Sequence, residues 1–168
     1  MTRIDLESSS GAAINGRLEY KVADYSFLFT AAAESDYYWR LFEFGGAILA
    51  VGTLELTVDV DSGVIRYVDG YHPRTQWRAG SVCPGACHEG IVRVVDRQEL
   101  ISGVARSIAS VGEWHTVHDR VSGWVRLSPE AAADDKRVLI ASDTVLGLVG
   151  GVLNSIWLHP IFDHPLPL

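Results

Sequence analysis

The stretch from Thr53 to Val68 constrains the fold more than any other. Leu54, Leu56, Val58 and Val60 share one parity while Glu55, Thr57 and Asp59 share the other, which places apolar side chains on one face of an extended strand. Asp61-Ser62-Gly63 interrupts the pattern, and Val64, Arg66 and Val68 then alternate with Ile65 and Tyr67. Glycine tolerates the positive φ of tight turns, so two alternating runs flanking Ser-Gly read as a β-hairpin. Trp114 to Leu127 repeats the design around Ser122-Gly123. Asp59, Ser62, Gly63 and Arg66 match Asp119, Ser122, Gly123 and Arg126 at an offset of 60 residues. The match defines a recurring hairpin type and not a duplicated domain.

Shorter alternating runs lie at Leu18 to Val22 and Tyr25 to Phe29. Val138 to Ala141 and Val145 to Leu148 pair across Ser142-Asp143-Thr144, and Gly150-Gly151 leads into Val152 to Leu158. Short strands with turn signals at this spacing predict a mainly β fold, an antiparallel sandwich or partly open barrel built from hairpins. Residues 96–110 are ambiguous. Asp96 and Glu99 fit a capping box, and Leu100, Ile101, Val104, Ala105 and Ile108 fall on one helical face, which would make the fold α+β. Gly103 argues instead for a strand from Val104. A chain of 168 residues is one domain, read as a polar, partly frayed leader over 1–16 and a single globular unit over 17–168. Trp124 and Trp157 are expected in the core, and Pro160 to Leu168, with three prolines, extended along the surface.

Fourteen basic and 21 acidic residues give a net charge of -7 without a basic patch or tail, so nucleic acid and anionic membrane are excluded as expected partners. No apolar run approaches the roughly 20 residues of a membrane helix. Met1 to Gly16 lacks the apolar centre of a secretory signal, which places the chain in the cytoplasm. The two cysteines, Cys83 and Cys87, are then free thiols.

Pro73 to Gly90 is the longest irregular stretch and holds both cysteines. Cys83, Cys87, His88, His115 and His118 have the donor chemistry of a zinc site. The cysteines are separated by three residues where a zinc knuckle uses two, and an offset of three puts His115 and His118 on opposite faces of a strand. No nucleophile elbow or phosphate loop occurs, and no cofactor is expected. Asp59, Asp61 and Asp69 could supply paired carboxylates for glycoside hydrolysis, but a solvated hairpin face explains them more simply. Five tryptophans and six tyrosines are a large supply of interface anchors. Tyr37-Tyr38-Trp39-Arg40 alternates aromatics across two faces, and Tyr67, Tyr71 and Trp77 flank the acidic hairpin. Asp59, Asp61, Asp69, Tyr67, Tyr71 and Trp77 therefore form the candidate binding set for a basic protein, with acids for steering and aromatics for affinity.

The run Leu54 to Pro73, with its Asp-Ser-Gly turn and Gly-Tyr-His-Pro exit, and the Ser122-Gly123-Trp124-Val125 hairpin resemble the small acidic immunity proteins that neutralise bacterial polymorphic toxins. The resemblance spans about a third of the chain. It implies a stoichiometric inhibitor, monomeric or weakly dimeric, that binds one cognate toxin domain and catalyses nothing itself. The alternative is a metal-dependent enzyme or small-molecule-binding β-barrel using Cys83, Cys87, His88, His115 and His118. A structural module that dimerises through a sheet edge is the third possibility.

Overall fold

A computed structural model describes residues 3–33, 46–109, 113–130 and 133–167. In chain order the strands are β1 (Leu6–Ser10), β2 (Gly16–Lys21), β3 (Ser26–Ala31), β4 (Gly46–Val51), β5 (Leu54–Asp59), β6 (Ile65–Tyr71), β7 (Arg78–Ala79) and β8 (His88–Val94). They continue with β9 (Ala105–Ala109), β10 (His115–His118), β11 (Val125–Ser128), β12 (Lys136–Ala141), β13 (Thr144–Val149), β14 (Val152–Leu158) and β15 (Ile161–Phe162). One sheet has the order β1-β8-β12-β13-β14-β11-β10-β7 and the other β15-β2-β3-β6-β5-β4-β9. They pack face to face without closing into a barrel.

The sandwich follows from the alternation. Leu54, Leu56 and Val58 of β5 and Leu18 and Tyr20 of β2 point inward, and they share one core with Leu146, Ile156 and Leu158 of the facing sheet. Each such side chain contributes roughly 1.5–3 kcal/mol on burial. The expected hairpins are present as β5–β6, β10–β11, β12–β13 and β13–β14. The sheets are nevertheless mixed, because β7–β10, β8–β12, β2–β15 and β4–β9 pair in parallel. None of these pairs is joined by a tight turn, so no hairpin dictates direction.

Both Asp-Ser-Gly turns are built alike. Gly63 N–H donates to the Asp59 carbonyl at 2.7 Å, and Gly123 N–H to that of Asp119 at 2.8 Å. Each aspartate closes its turn by accepting the amide two residues on, Asp61 N and Val121 N, while Ser62 and Ser122 accept from Val64 N and Trp124 N. Gly63 and Gly123 sit at φ of 74° and 84°, where a side chain would be strained.

Three expectations are corrected. Within the expected leader over 1–16, the described residues 3–16 are not frayed, since β1 pairs with β8 over five residues and Ile4 and Leu6 are buried. The described part of the 96–110 stretch, residues 96–109, forms no α-helix. Asp96 caps a single 3-10 turn at Arg97–Glu99, and Ala105–Ala109 is a strand beside β4. Of the five residues of the expected helical face, Leu100 and Ile108 reach the core but Ile101, Val104 and Ala105 are exposed, so the period does not mark one buried face. Trp124 is only half-buried and stacks on His159 at 4.9 Å, whereas Trp157 is buried as expected. Tyr37 to Arg40 lie outside the described residues.

The irregular loop is a strap. Gly80–Cys87 crosses the outer face of the eight-stranded sheet from the β10 end towards β8, and Val82 packs with Val145 and Trp157 as a second small core. Gly80 N–H donates to the His118 carbonyl, Val82 N–H to the Asp119 carboxylate at 3.1 Å and Ser122 Oγ to the Val82 carbonyl at 3.1 Å. Arg137 reaches the Pro84 carbonyl and lies 4.7 Å over the Trp157 ring. The chain leaves β14 through His159-Pro160 and changes sheet to form β15, whose Phe162 lies 5.3 Å from His118 of β10. There Asp163 holds the β2 end by accepting Val22 N–H at 2.9 Å.

Candidate functional site

The outer face of the seven-stranded sheet carries a patch that register makes contiguous. Ile161 opposes Glu19, Glu19 opposes Leu28, and Ser26, two residues before Leu28, opposes Tyr71. Side chains at paired and i±2 positions share a face, and Ile161, Leu28 and Tyr71 are all exposed there. Tyr25, in the β2–β3 turn, is exposed beside them with its ring edge-on to Tyr71 at 6.5 Å. Its φ of 52° is a left-handed conformation that a tyrosine adopts at a cost, and such residues cluster at functional surfaces. Glu19 is flanked by Lys21 at 3.1 Å and Arg17 at 3.6 Å, so it adds little net charge.

The six residues of the candidate binding set fall in different places. Tyr71 belongs to this patch. Asp61 is exposed at the first turn, and Asp59 beside it is half-buried and 3.5 Å from Arg66. Asp69, opposite Glu55, is inserted where the β3–β6 ladder stops and accepts Phe29 N–H at 2.5 Å. Burial raises its carboxyl to about 7, with Glu55 adding to the shift. Tyr67 is buried and stacked on Phe29. Trp77 lies inside the seam between the sheets, stacked on Phe27 at 5.8 Å and edge-on to His118 at 5.5 Å. The acids thus deliver less outward charge than their number suggests.

The other five candidates do not gather either. His88 starts β8 and His115 and His118 bound β10, with β12, β13, β14 and β11 between them in the sheet. Cys83 is exposed on the strap, and Cys87 is half-buried against the Trp157 cluster. His115 and His118 take opposite faces, as their odd offset requires. His115 meets Arg78 at 3.2 Å, and His118 packs inward on Trp77 and Phe162. Among the described residues no three His, Cys, Asp or Glu side chains come together as a metal site.

An end cavity of about 590 Å³ opens beside Tyr71, floored by His72 and Thr116 and walled by Trp114 and Arg78. His72 Nε2 and Thr116 Oγ1 are 2.7 Å apart, linking the two sheets, and burial lowers His72 to about 4. Tyr20 Oη donates to the His72 carbonyl at 2.8 Å, and burial pushes its phenol up to about 12, so it stays a donor. The sequence reading missed this pair, whose only signal was the His-Pro exit of β6. It also missed Asp134, a loop aspartate that accepts from Asn154, Ser155 and Arg137 and is held below the usual carboxylate range by those bonds despite its burial.

No family model matches the chain, and no curated protein matches it.

Proposed function

We propose that this chain is a protein-binding inhibitor, an immunity protein that neutralises a cognate bacterial toxin domain by stoichiometric binding. The observation that carries the reading is the patch of Tyr25, Leu28, Tyr71 and Ile161 on one sheet face. Two exposed tyrosines, one held in a left-handed turn, are preorganised anchors that lose little conformational freedom on binding. With a net charge of -7, the partner is a basic domain, drawn in by long-range steering and retained by aromatic contact. The inhibitor acts by occluding the toxin's active site, and nothing in its own action requires a reaction centre.

The test is titration of the toxin domain encoded beside this chain. One equivalent should abolish toxin activity, and Tyr25→Ala with Tyr71→Ala should weaken binding at least about 30-fold, the effect of losing about 2 kcal/mol at a hot spot. Full toxin activity in the presence of excess protein defeats the proposal. The second reading, a small-molecule binder, is favoured by the end cavity, whose volume falls in the range of about 300–1,000 Å³ typical of ligand sites.

A further inference from the structure

A second cavity of about 300 Å³ lies at the seam where β7 and β10 meet the C-terminal tail, and its lining includes Arg74, Trp77, Arg78, His118 and Arg120. We propose that this cavity binds a small oxyanion, a phosphate or carboxylate group of a low-molecular-weight ligand. Two of its residues carry buried donors without a partner, Trp77 Nε1 and Arg74 Nε. Buried N–H groups are almost always bonded, so two orphans on residues that line one cavity are donors that a small side-chain rotation would offer to an acceptor bound there. The charge is uncompensated as well. Arg78 is 3.4 Å from Glu130, but among the described residues neither Arg74 nor Arg120 has a carboxylate partner, and Arg120 makes only a bond to the Pro167 carbonyl.

Two acids adjoining these elements, Asp119 between His118 and Arg120 and Asp163 on the tail, accept backbone amides. Asp119 accepts Val121, Ser122 and Val82 amides, and Asp163 accepts Val22 N–H. A convergence of arginines in a chain of net charge -7 runs against its average composition. Guanidinium groups flanking an indole N–H present planar and single donors at several angles, which suits the oxygens of phosphate or carboxylate. The small volume excludes a polyanion.

The experiment follows the Trp77 indole N–H by NMR, assigned through its loss in Trp77→Phe, while inorganic phosphate or acetate is added at constant ionic strength. A saturable shift below about 10 mM is expected, since a Kd of about 1 mM would then give near-full occupancy. Saturation by phosphate alone identifies a phosphate ligand, and saturation by acetate as well identifies a general oxyanion site. Arg120→Gln, at an exposed position that leaves the core intact, should weaken binding about tenfold, and Arg3→Gln should not change it. An unsaturable shift with both anions, or unchanged affinity in Arg120→Gln, overturns the proposal.

Discussion

The two Asp-Ser-Gly hairpins share a turn and differ in what the rest of the chain does with it. At Asp59 the turn meets β8 through its backbone, the Gly63 carbonyl accepting Val94 N–H at 2.8 Å, and the spare carboxylate oxygen meets only Arg66 of its own hairpin at 3.5 Å. At Asp119 the corresponding oxygen accepts Val82 N–H from the strap, and Ser122 donates to the Val82 carbonyl. One local sequence thus keeps its spare carboxylate within its own hairpin in one sheet and uses it to anchor a distant segment in the other. Turn chemistry is local, but the use of the leftover acceptor depends on which segment crosses it.

The largest way to break this comparison is to empty the space beneath the strap. Trp157→Ala should cost about 3–5 kcal/mol in chemical denaturation, the usual loss for a buried tryptophan. It should also speed reaction of Cys87, half-buried in the same cluster, with a thiol reagent, while the first hairpin keeps its amide protection. If Cys87 reacts no faster, the strap is not held by that cluster.

Next in size are the turn glycines. Either one changed to alanine meets the left-handed penalty of about 1–2 kcal/mol. At Gly63 a Cβ would also stand 2.9 Å from the Val94 carbonyl, fixed backbone of β8, whereas at Gly123 it would stand 2.8 Å from His159 Nε2, the end of a side chain that can turn away. Gly63→Ala should therefore lose more stability than Gly123→Ala. Equal losses would show that backbone strain alone decides both turns.

What was legible in the sequence has the same division. Both hairpins could be read because alternation and turn chemistry are local, and the odd offset correctly separated His115 from His118. The strap, the inward turn of Trp77 and the burial of Tyr67 could not be read, since each depends on a segment distant in sequence. β1 was hidden by its composition, with only Leu6 of Leu-Glu-Ser-Ser-Ser buried. Leu100, Ile101 and Val104 showed a helical period that the structure does not use, because only Leu100 finds the core. The exposed tyrosine patch depended on register across three strands, which parity within one strand does not supply.

The hairpins also respond oppositely to pH. Asp119 is held below its usual value by the Ser122 and Val121 amides, so its contribution is present above the ordinary 3.8 and is lost as pH falls through the folded value. Asp69, on β6 of the first hairpin, is raised to about 7, so its native carboxyl keeps a proton that the unfolded chain releases near 3.8, and stability is lost as pH rises between the two. Asp69→Asn should accordingly be more stable than the parent at pH 8, and the Phe29 amide shift should titrate near neutrality in the parent only. His72, lowered to about 4, works against Asp69 in the same range, because the unfolded chain takes up its proton first and stability then falls as pH drops from 6.5 towards 4. Removing Asp69 should therefore leave a curve that climbs with pH between those values. A flat curve would mean that His72 is not buried in solution.

The smallest difference lies in the serines. Ser62 Oγ accepts Val64 N–H at 3.2 Å, and Ser122 Oγ accepts Trp124 N–H at 3.4 Å while also donating to the strap. Ser122→Ala leaves the Val82 carbonyl without that donor, and Ser62→Ala exposes no comparable group. The net worth of one neutral hydrogen bond, about 0.5–1.5 kcal/mol, should separate the two variants, with Ser122→Ala the less stable. Combining each with Trp157→Ala sharpens the point, because contacting groups fail to add while distant ones do. The Ser122 effect should shrink once the strap has lost its tryptophan, and the Ser62 effect should stay the same. Additivity at both sites would mean that Ser122 acts within its own turn, as Ser62 does, and that the strap draws nothing from it.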